Sequence, residues 1–228
     1  ILKSNVILEG EGASTLLRVA NSANLGDVVR IGNGGSVSYT NITVRNFMID
    51  GNQANQTSGA NSPLVLWGTT SYKHSKLTIE NMWLTGAKQD CLKVITIEDS
   101  VIKNCYIYSN TGTAIGLFTS SQYISIVGNV LASNSYGIYD NGCNYNTITG
   151  NVIRNNGYGF YVNSGWREVF TGNMVFTSTN YGVYLVGAQR VAITGNHFYG
   201  DSWSIVVGNS SNATKYNVIT GNTITYPT

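Results

Sequence analysis

Lys73, His74 and Lys76 form the densest basic run in a chain with few charges. Two ammonium groups flanking an imidazole can neutralise an anionic group while the ring takes up a proton beside it. His74 is therefore the leading candidate base, with Lys73 and Lys76 as candidate binding groups; the alternative is a solvated loop. Asp90 and Lys93 place a carboxyl and an ammonium three residues apart. Tyr139 adjoins Asp140, a phenol beside a carboxyl, either of which can exchange a proton. Trp67, Tyr161 and Tyr184 offer flat faces for stacking, and the tyrosines add hydroxyls. The candidate catalytic set is thus His74, Lys93, Tyr139 and Asp140. The candidate substrate-binding set is Lys73, Lys76, Trp67, Asp90, Tyr161 and Tyr184.

The composition narrows what those groups can do. Charged residues are 11% of 228, with a net charge of +2 and no Lys/Arg run, so a nucleic-acid footprint is not expected. No apolar stretch reaches the ~20 residues of a membrane-spanning helix. Eleven scattered acids do not make the oxygen cage that calcium needs, and no His/Cys spacing suits zinc, so neither a metal nor another cofactor is expected. Cys91, Cys105 and Cys143 make an odd count without a Cys-x-x-Cys pair, which predicts free buried thiols, with one bridge open. Arg154, Arg167 and Glu168 read as exposed charges. Sequons at Asn41, Asn55, Asn209 and Asn212 are the chance yield of an Asn- and Thr-rich chain. The opening Ile1-Leu2-Lys3 reads as the middle of an element, so a processed chain or a fragment is expected.

The elements that must position these residues come from a repeat. Ser125-Ile126-Val127-Gly128-Asn129, Thr147-Ile148-Thr149-Gly150-Asn151, Val169-Phe170-Thr171-Gly172-Asn173, Ala192-Ile193-Thr194-Gly195-Asn196 and Val218-Ile219-Thr220-Gly221-Asn222 align without gaps, and weaker versions end at Asn46, Asn81 and Asn104. A period near 22 suits one solenoid turn of three short strands. Rungs ~4.8 Å apart stack like on like, so apolar columns fill a core and corner Asn amides form a hydrogen-bonded ladder. Met48, Trp83, Tyr106, Leu131, Ile153, Val175, Phe198 and Ile224 are expected as one inward column. Val29, Leu64, Leu92, Ile115, Ile138, Phe160, Val183 and Ile205 are expected as another. Asp140 falls in a column otherwise held by Ile31, Leu66, Val94, Leu117, Val162, Leu185 and Val207. It is therefore either a carboxyl with a raised pKa or one turned out at Asn141-Gly142. The outward line of the same strand reads Arg30, Val65, Lys93, Gly116, Tyr139, Tyr161 and Tyr184, a cationic end, a gap and a tyrosine stripe. The stripe reads first as a ladder that stabilises the sheet, with sugar binding as the alternative.

This Ile-Thr-Gly-Asn rhythm resembles the right-handed parallel β-helix superfamily, with its pectate lyase-like and NosD-like members. The resemblance implies an all-β, right-handed, single-stranded parallel β-helix of about eight to nine coils with an Asn ladder. The whole chain, 1–228, would be one domain lacking its native N-terminal cap. Gln89-Asp90-Cys91-Leu92 is similar to a polygalacturonase segment, but Gln89 stands where that family has an Asp. The carbohydrate-active members imply an extracellular or cell-surface protein acting on an acidic polysaccharide, as a lyase or C5-epimerase. In such chemistry cations neutralise the uronate and a base takes the C5 proton. The alternative, resting on the missing catalytic signatures, the low charge and the regular last five coils, is a non-catalytic surface protein: an adhesin, a tailspike-like stem, or a filament or scaffold subunit that binds glycans or self-assembles. Whether the chain is an enzyme stays open. Uncapped ends would also let copies stack into a homo-oligomer. A NosD-like role near copper has little support from three scattered Cys, three Met and two His.

Overall fold

Short β-branched and aromatic runs separated by Gly and Asn corners can only bury their apolar faces against the next copy of themselves. The computed structural model shows that outcome, a parallel β-helix, and describes residues 2–59, 61–208 and 214–226. Asn209 and Asn212 lie outside the described residues.

Three parallel ladders run the length of the rod. The first holds nine strands, from Val6–Glu9 to Val218–Thr220. The second runs from Leu16–Arg18 to Thr223–Thr225, and the third from Asp27–Ile31 to Trp203–Val207. Two long strands, Tyr106–Phe118 and Val130–Asn141, turn the corner between the second and third ladders without a break, which joins these ladders into one sheet. The paired strands are parallel, and apart from one shift between Asn110 and Thr113 in the two long strands their register is continuous, so like residues stack.

The core is a set of such stacks. On the first ladder Val44, Ile79, Ile102, Ile126, Ile148, Phe170 and Ile193 face inward and are buried. The third ladder stacks Leu64, Leu92, Ile115, Ile138, Phe160 and Val183 in the expected column. The second ladder departs from the expected one. Its inward residues in the early rungs are Ile49, Leu84 and Ile107, while Met48, Trp83 and Tyr106 are half-buried on the other side. The reason lies at the corner. Asn46, Asn81 and Asn104 have left-handed φ of 62, 51 and 54° and take the place that Gly128 and Gly150 hold later. Phe47, Met82 and Cys105 then occupy the buried corner position of Asn129, so aligning on the Asn shifts the register by one.

From Asn129 onward the buried corner amides bond directly. Asn129, Asn151, Asn173 and Asn196 each donate from Nδ2 to Oδ1 of the next rung's Asn, at 2.9–3.0 Å. A second stack, Asn110, Asn134 and Asn156, lines the corner between the second and third ladders. All three cysteines are free and buried.

Candidate functional site

The third ladder presents its outward face to solvent, and there the repeat concentrates aromatic rings. Tyr139, Tyr161 and Tyr184 stack in register, with centroids 5.3 and 5.1 Å apart. A parallel column of Tyr136, Tyr158, Tyr181 and Trp203 runs beside it, in register from rung to rung. Tyr136 and Tyr158 stack at 4.8 Å, and Tyr181 lies 4.7 Å from Tyr184, tying the two columns into one patch. Glycine makes the two columns compatible: a Cβ at Gly159 would sit 2.4 Å from the Gly182 carbonyl oxygen, and one at Gly137 2.6 Å from that of Gly159. Only Gly lets these backbones nest while the rings on either side stand outward.

Beside the patch runs a furrow. A depression of about 550 Å³ is lined by Asn110, Ser133, Asn134, Ser135, Tyr136, Gly157, Tyr158, Thr179 and Asn180. It continues into a smaller one, shared through Tyr158, Thr179 and Asn180, that ends at Ser202 and Trp203. None of these lining residues is an acid or a cation. Burial pushes the Tyr136 phenol up from its ordinary pKa, helped by Tyr158, and burial does the same for Tyr161. Both phenols therefore stay protonated at neutral pH and can donate as well as accept. Rings, hydroxyls and amides along an open furrow suit a chain of hydroxylated rings.

At the cationic end every charge has a partner. Arg30 pairs with Asp27 and lies over the Trp67 ring at 5.1 Å. Lys93 is 3.7 Å from Asp90 and 5.5 Å from the centre of the Phe118 ring. Burial raises the Asp90 carboxyl, opposed by its hydrogen bond to Thr113 and by Lys93. The gap at Gly116 is filled, because a Cβ there would meet Phe118 at 2.6 Å. Phe118 in turn lies 5.8 Å from Tyr139. Asp90, Lys93, Phe118 and Tyr139 thus form one continuous surface with the tyrosine patch.

The basic run lies elsewhere. Its loop is only a tight turn at Thr69–Tyr72, and His74 opens the strand His74–Glu80 of the first ladder. The His74 ring is buried: Nδ1 accepts the Tyr39 N–H at 3.1 Å, and Nε2 bonds the Trp67 carbonyl at 2.9 Å. Since Nδ1 accepts, Nε2 must carry the proton, so no lone pair is left for a substrate. Burial also lowers its pKa, which keeps it neutral. The imidazole is a clip between coils, not an exposed base. Lys73 pairs with Glu98 at 3.2 Å, and Lys76 stands exposed on the first ladder. His74, Lys93 and Tyr139 do not converge.

Asp140 points into the core, fully buried, and its Oδ1 accepts the Cys143 N–H at 3.0 Å. The expectation for Glu168 is overturned, for it too is fully buried, accepting from the Asn146 backbone N–H at 3.1 Å. Glu168 follows the corner, where the first-ladder strand begins and the side chain at this position turns inward. Neither carboxyl reaches solvent. The furrow residues Tyr136, Tyr158, Tyr181 and Trp203 were not among the sequence candidates. Their signal was present in Tyr136-Gly137-Ile138-Tyr139, Tyr158-Gly159-Phe160-Tyr161 and Tyr181-Gly182-Val183-Tyr184, an aromatic residue recurring three before each stripe tyrosine.

Comparison with known proteins places this geometry. A family profile described as "Periplasmic copper-binding protein (NosD)" matches residues 93–228, more than half of the chain. The chain belongs to the NosD family. Comparison with curated protein sequences found no match. Among solved structures, the chain is similar to the A-module of the Azotobacter vinelandii mannuronan C-5 epimerase AlgE4, with a TM-score of 0.67 and 17% identity, over 99% of this chain and 82% of that one. It is also similar to the enzymatically active domain of bacteriophage CBA120 tailspike protein 2, with a TM-score of 0.66 and 11% identity, over 97% and 39% of the two chains. A third likeness is to the C387A mutant of DFA-IIIase from Arthrobacter chlorophenolicus A6, solved with DFA-III, with a TM-score of 0.59 and 12% identity, over 85% and 57%. At such identities these likenesses establish the fold alone.

The NosD description raises the question of copper, and the donors of this chain do not fit it. Cys91, Cys105 and Cys143 are each sealed in the core. Both His74 nitrogens are occupied, and among the described residues no three His, Cys, Asp or Glu side chains gather to hold a metal. Soft thiolate or imidazole donors must converge to hold such an ion.

Proposed function

We propose that this NosD-family chain is a polysaccharide-binding β-helix that takes a glycan lengthwise along the third ladder. One observation carries the reading: Tyr136, Tyr158, Tyr181 and Trp203 line an uncharged furrow across four rungs, and the registered column of Tyr139, Tyr161 and Tyr184 adjoins them. The rung spacing of ~4.8 Å is close to the length of one sugar along a chain. Successive rings can therefore stack under successive sugars, and Ser135, Thr179 and Asn180 can bond their hydroxyls. The AlgE4, tailspike and DFA-IIIase likenesses support a carbohydrate partner. A polar, weakly charged surface and the periplasmic family description support a location outside the cytoplasm, at the cell surface or beyond it. Tyr158→Ala and Tyr181→Ala are each expected to weaken glycan binding by about tenfold, the loss of one stacking ring. Isothermal titration against a panel of soluble polysaccharides reads this, and unchanged affinity in both variants would refute it.

A second reading adds chemistry at the end of the patch. In a lyase or C5-epimerase acting on an acidic polysaccharide, Lys93 would neutralise the uronate and Tyr139 would exchange the C5 proton. The continuous surface from Lys93 through Phe118 to Tyr139 favours it. With alginate and pectate, unsaturated-uronate absorbance or a changed epimer ratio is the expected signal, lost in Tyr139→Phe. Binding without either signal leaves the non-catalytic reading standing.

A further inference from the structure

A second surface lies on the opposite side of the third ladder, where the chain turns into the first. From Tyr123 onward the corner residue there has left-handed φ in each rung, and none of these five is Gly. Tyr123, Tyr145, Arg167, Arg190 and Tyr216 have φ of 56, 60, 59, 57 and 59°. The next corner of the same rungs solves the same problem with Gly128, Gly150, Gly172, Gly195 and Gly221. Large side chains are disfavoured in this region, and such outliers persist where the side chain is itself needed.

What those side chains build is a line of cations laid on rings. The Arg167 guanidinium lies 4.1 Å from the Trp166 ring centre and bonds the Tyr145 hydroxyl at 3.2 Å. Arg190 lies over Trp166 and Tyr216, at 5.6 and 5.9 Å, and Lys215 over Tyr216 at 5.7 Å. Among the described residues no carboxylate pairs with Arg167, Arg190 or Lys215. Glu168, next to Arg167, is turned into the core, and Asp99 lies beside Tyr123, beyond the cations. Three successive rungs therefore carry uncompensated positive charge.

We propose that this corner, from Tyr123 to Tyr216, binds an anionic polysaccharide. Arg167, Arg190 and Lys215 take its carboxylate or sulfate groups, and the Tyr145, Trp166 and Tyr216 rings support its sugars. A guanidinium stacked on a ring keeps its N–H edge free for a bidentate bond to an oxyanion. Cations recur once per rung, ~4.8 Å apart, the repeat of a chain with one acid group per sugar. Three cations are few for tracking a nucleic-acid backbone. The site is separate from the tyrosine furrow and does not depend on that reading.

The test titrates the full chain with a labelled alginate oligosaccharide, dextran sulfate and neutral dextran. The chain is expected to bind the two anionic probes more tightly than dextran, with affinity that falls steeply with salt. Arg167→Asn/Arg190→Asn is expected to lose about tenfold or more in that affinity, the loss of two charge-assisted contacts. Its thermal midpoint should hold or rise, because Asn tolerates the left-handed region. Lys215→Gln, at ordinary backbone, should show a smaller loss of the same sign. Affinity within twofold of wild type in both corner variants would overturn the proposal, as would equal binding of neutral dextran. Tighter binding of a single-stranded oligonucleotide would overturn it too, assigning the corner to nucleic acid.

Discussion

Asp140 and Glu168 share one buried corner, each held by a backbone donor and neither by a cation. Burial pushes Asp140 up to about 7, and pushes Glu168 well above the usual carboxylate range, with the Asp140 charge as a second cause. A carboxyl whose pKa is raised by folding holds its proton more tightly in the folded chain than in the unfolded one. Stability is then greatest below the ordinary value of 3.8 and declines as the pH climbs through about 7. The thermal midpoint should therefore fall between about pH 4 and about pH 7. Asp140→Asn keeps an acceptor for the Cys143 N–H without a charge and should flatten that fall. Parallel midpoint curves for the two proteins would contradict the assignment. Asp140 stood out in the sequence as the one acid in an apolar column. Glu168 did not, because its neighbours in the repeat are not visibly a core column at a corner.

The corners are the elements that fix the register of everything between them. Asn151 accepts from both nitrogens of Asn129 and donates to the Ile126 carbonyl and to Asn173. Removing its side chain leaves the Asn129 backbone N–H without its acceptor and takes one bond each from the Asn129 amide, the Ile126 carbonyl and Asn173. Asn151→Ala is expected to cost about 2–4 kcal/mol in denaturant unfolding, whereas Asn222→Ala, on the exposed last rung, should cost about 1. Equal losses at the two positions would show that the stack is not what holds the corner. The Gly-Asn pairs made this element legible after Gly128. Before it, Asn46, Asn81 and Asn104 read as the same Asn but stand in the glycine's place. Only φ separates the two roles, and one residue of offset moves a side chain to the other face.

As a whole the molecule is a rod in which each rung packs chiefly on its two neighbours, so local stability should follow the number of covered faces. Amide exchange is expected to be slowest in the strands from Ile97–Lys103 to Val169–Thr171, and fastest in Leu16–Arg18 and Val218–Thr220, whose side chains are exposed. Uniform protection along the rod would argue against nearest-neighbour stacking. The sequence by itself determined the coil period, the parallel β-helix, the third-ladder columns and the tyrosine stripe. It could do so because stacked rungs repeat their chemistry, and strand side chains alternate with a period of two. Tertiary structure alone decided which exposed groups share a surface. His74 sits in a basic run, yet the strand start it occupies buries the ring between Tyr39 and Trp67. The furrow and the cationic corner are assembled from residues 22 to 26 positions apart, brought together only when the coils stack. Each corner decides, through one left-handed residue, whether the next side chain meets water or the core.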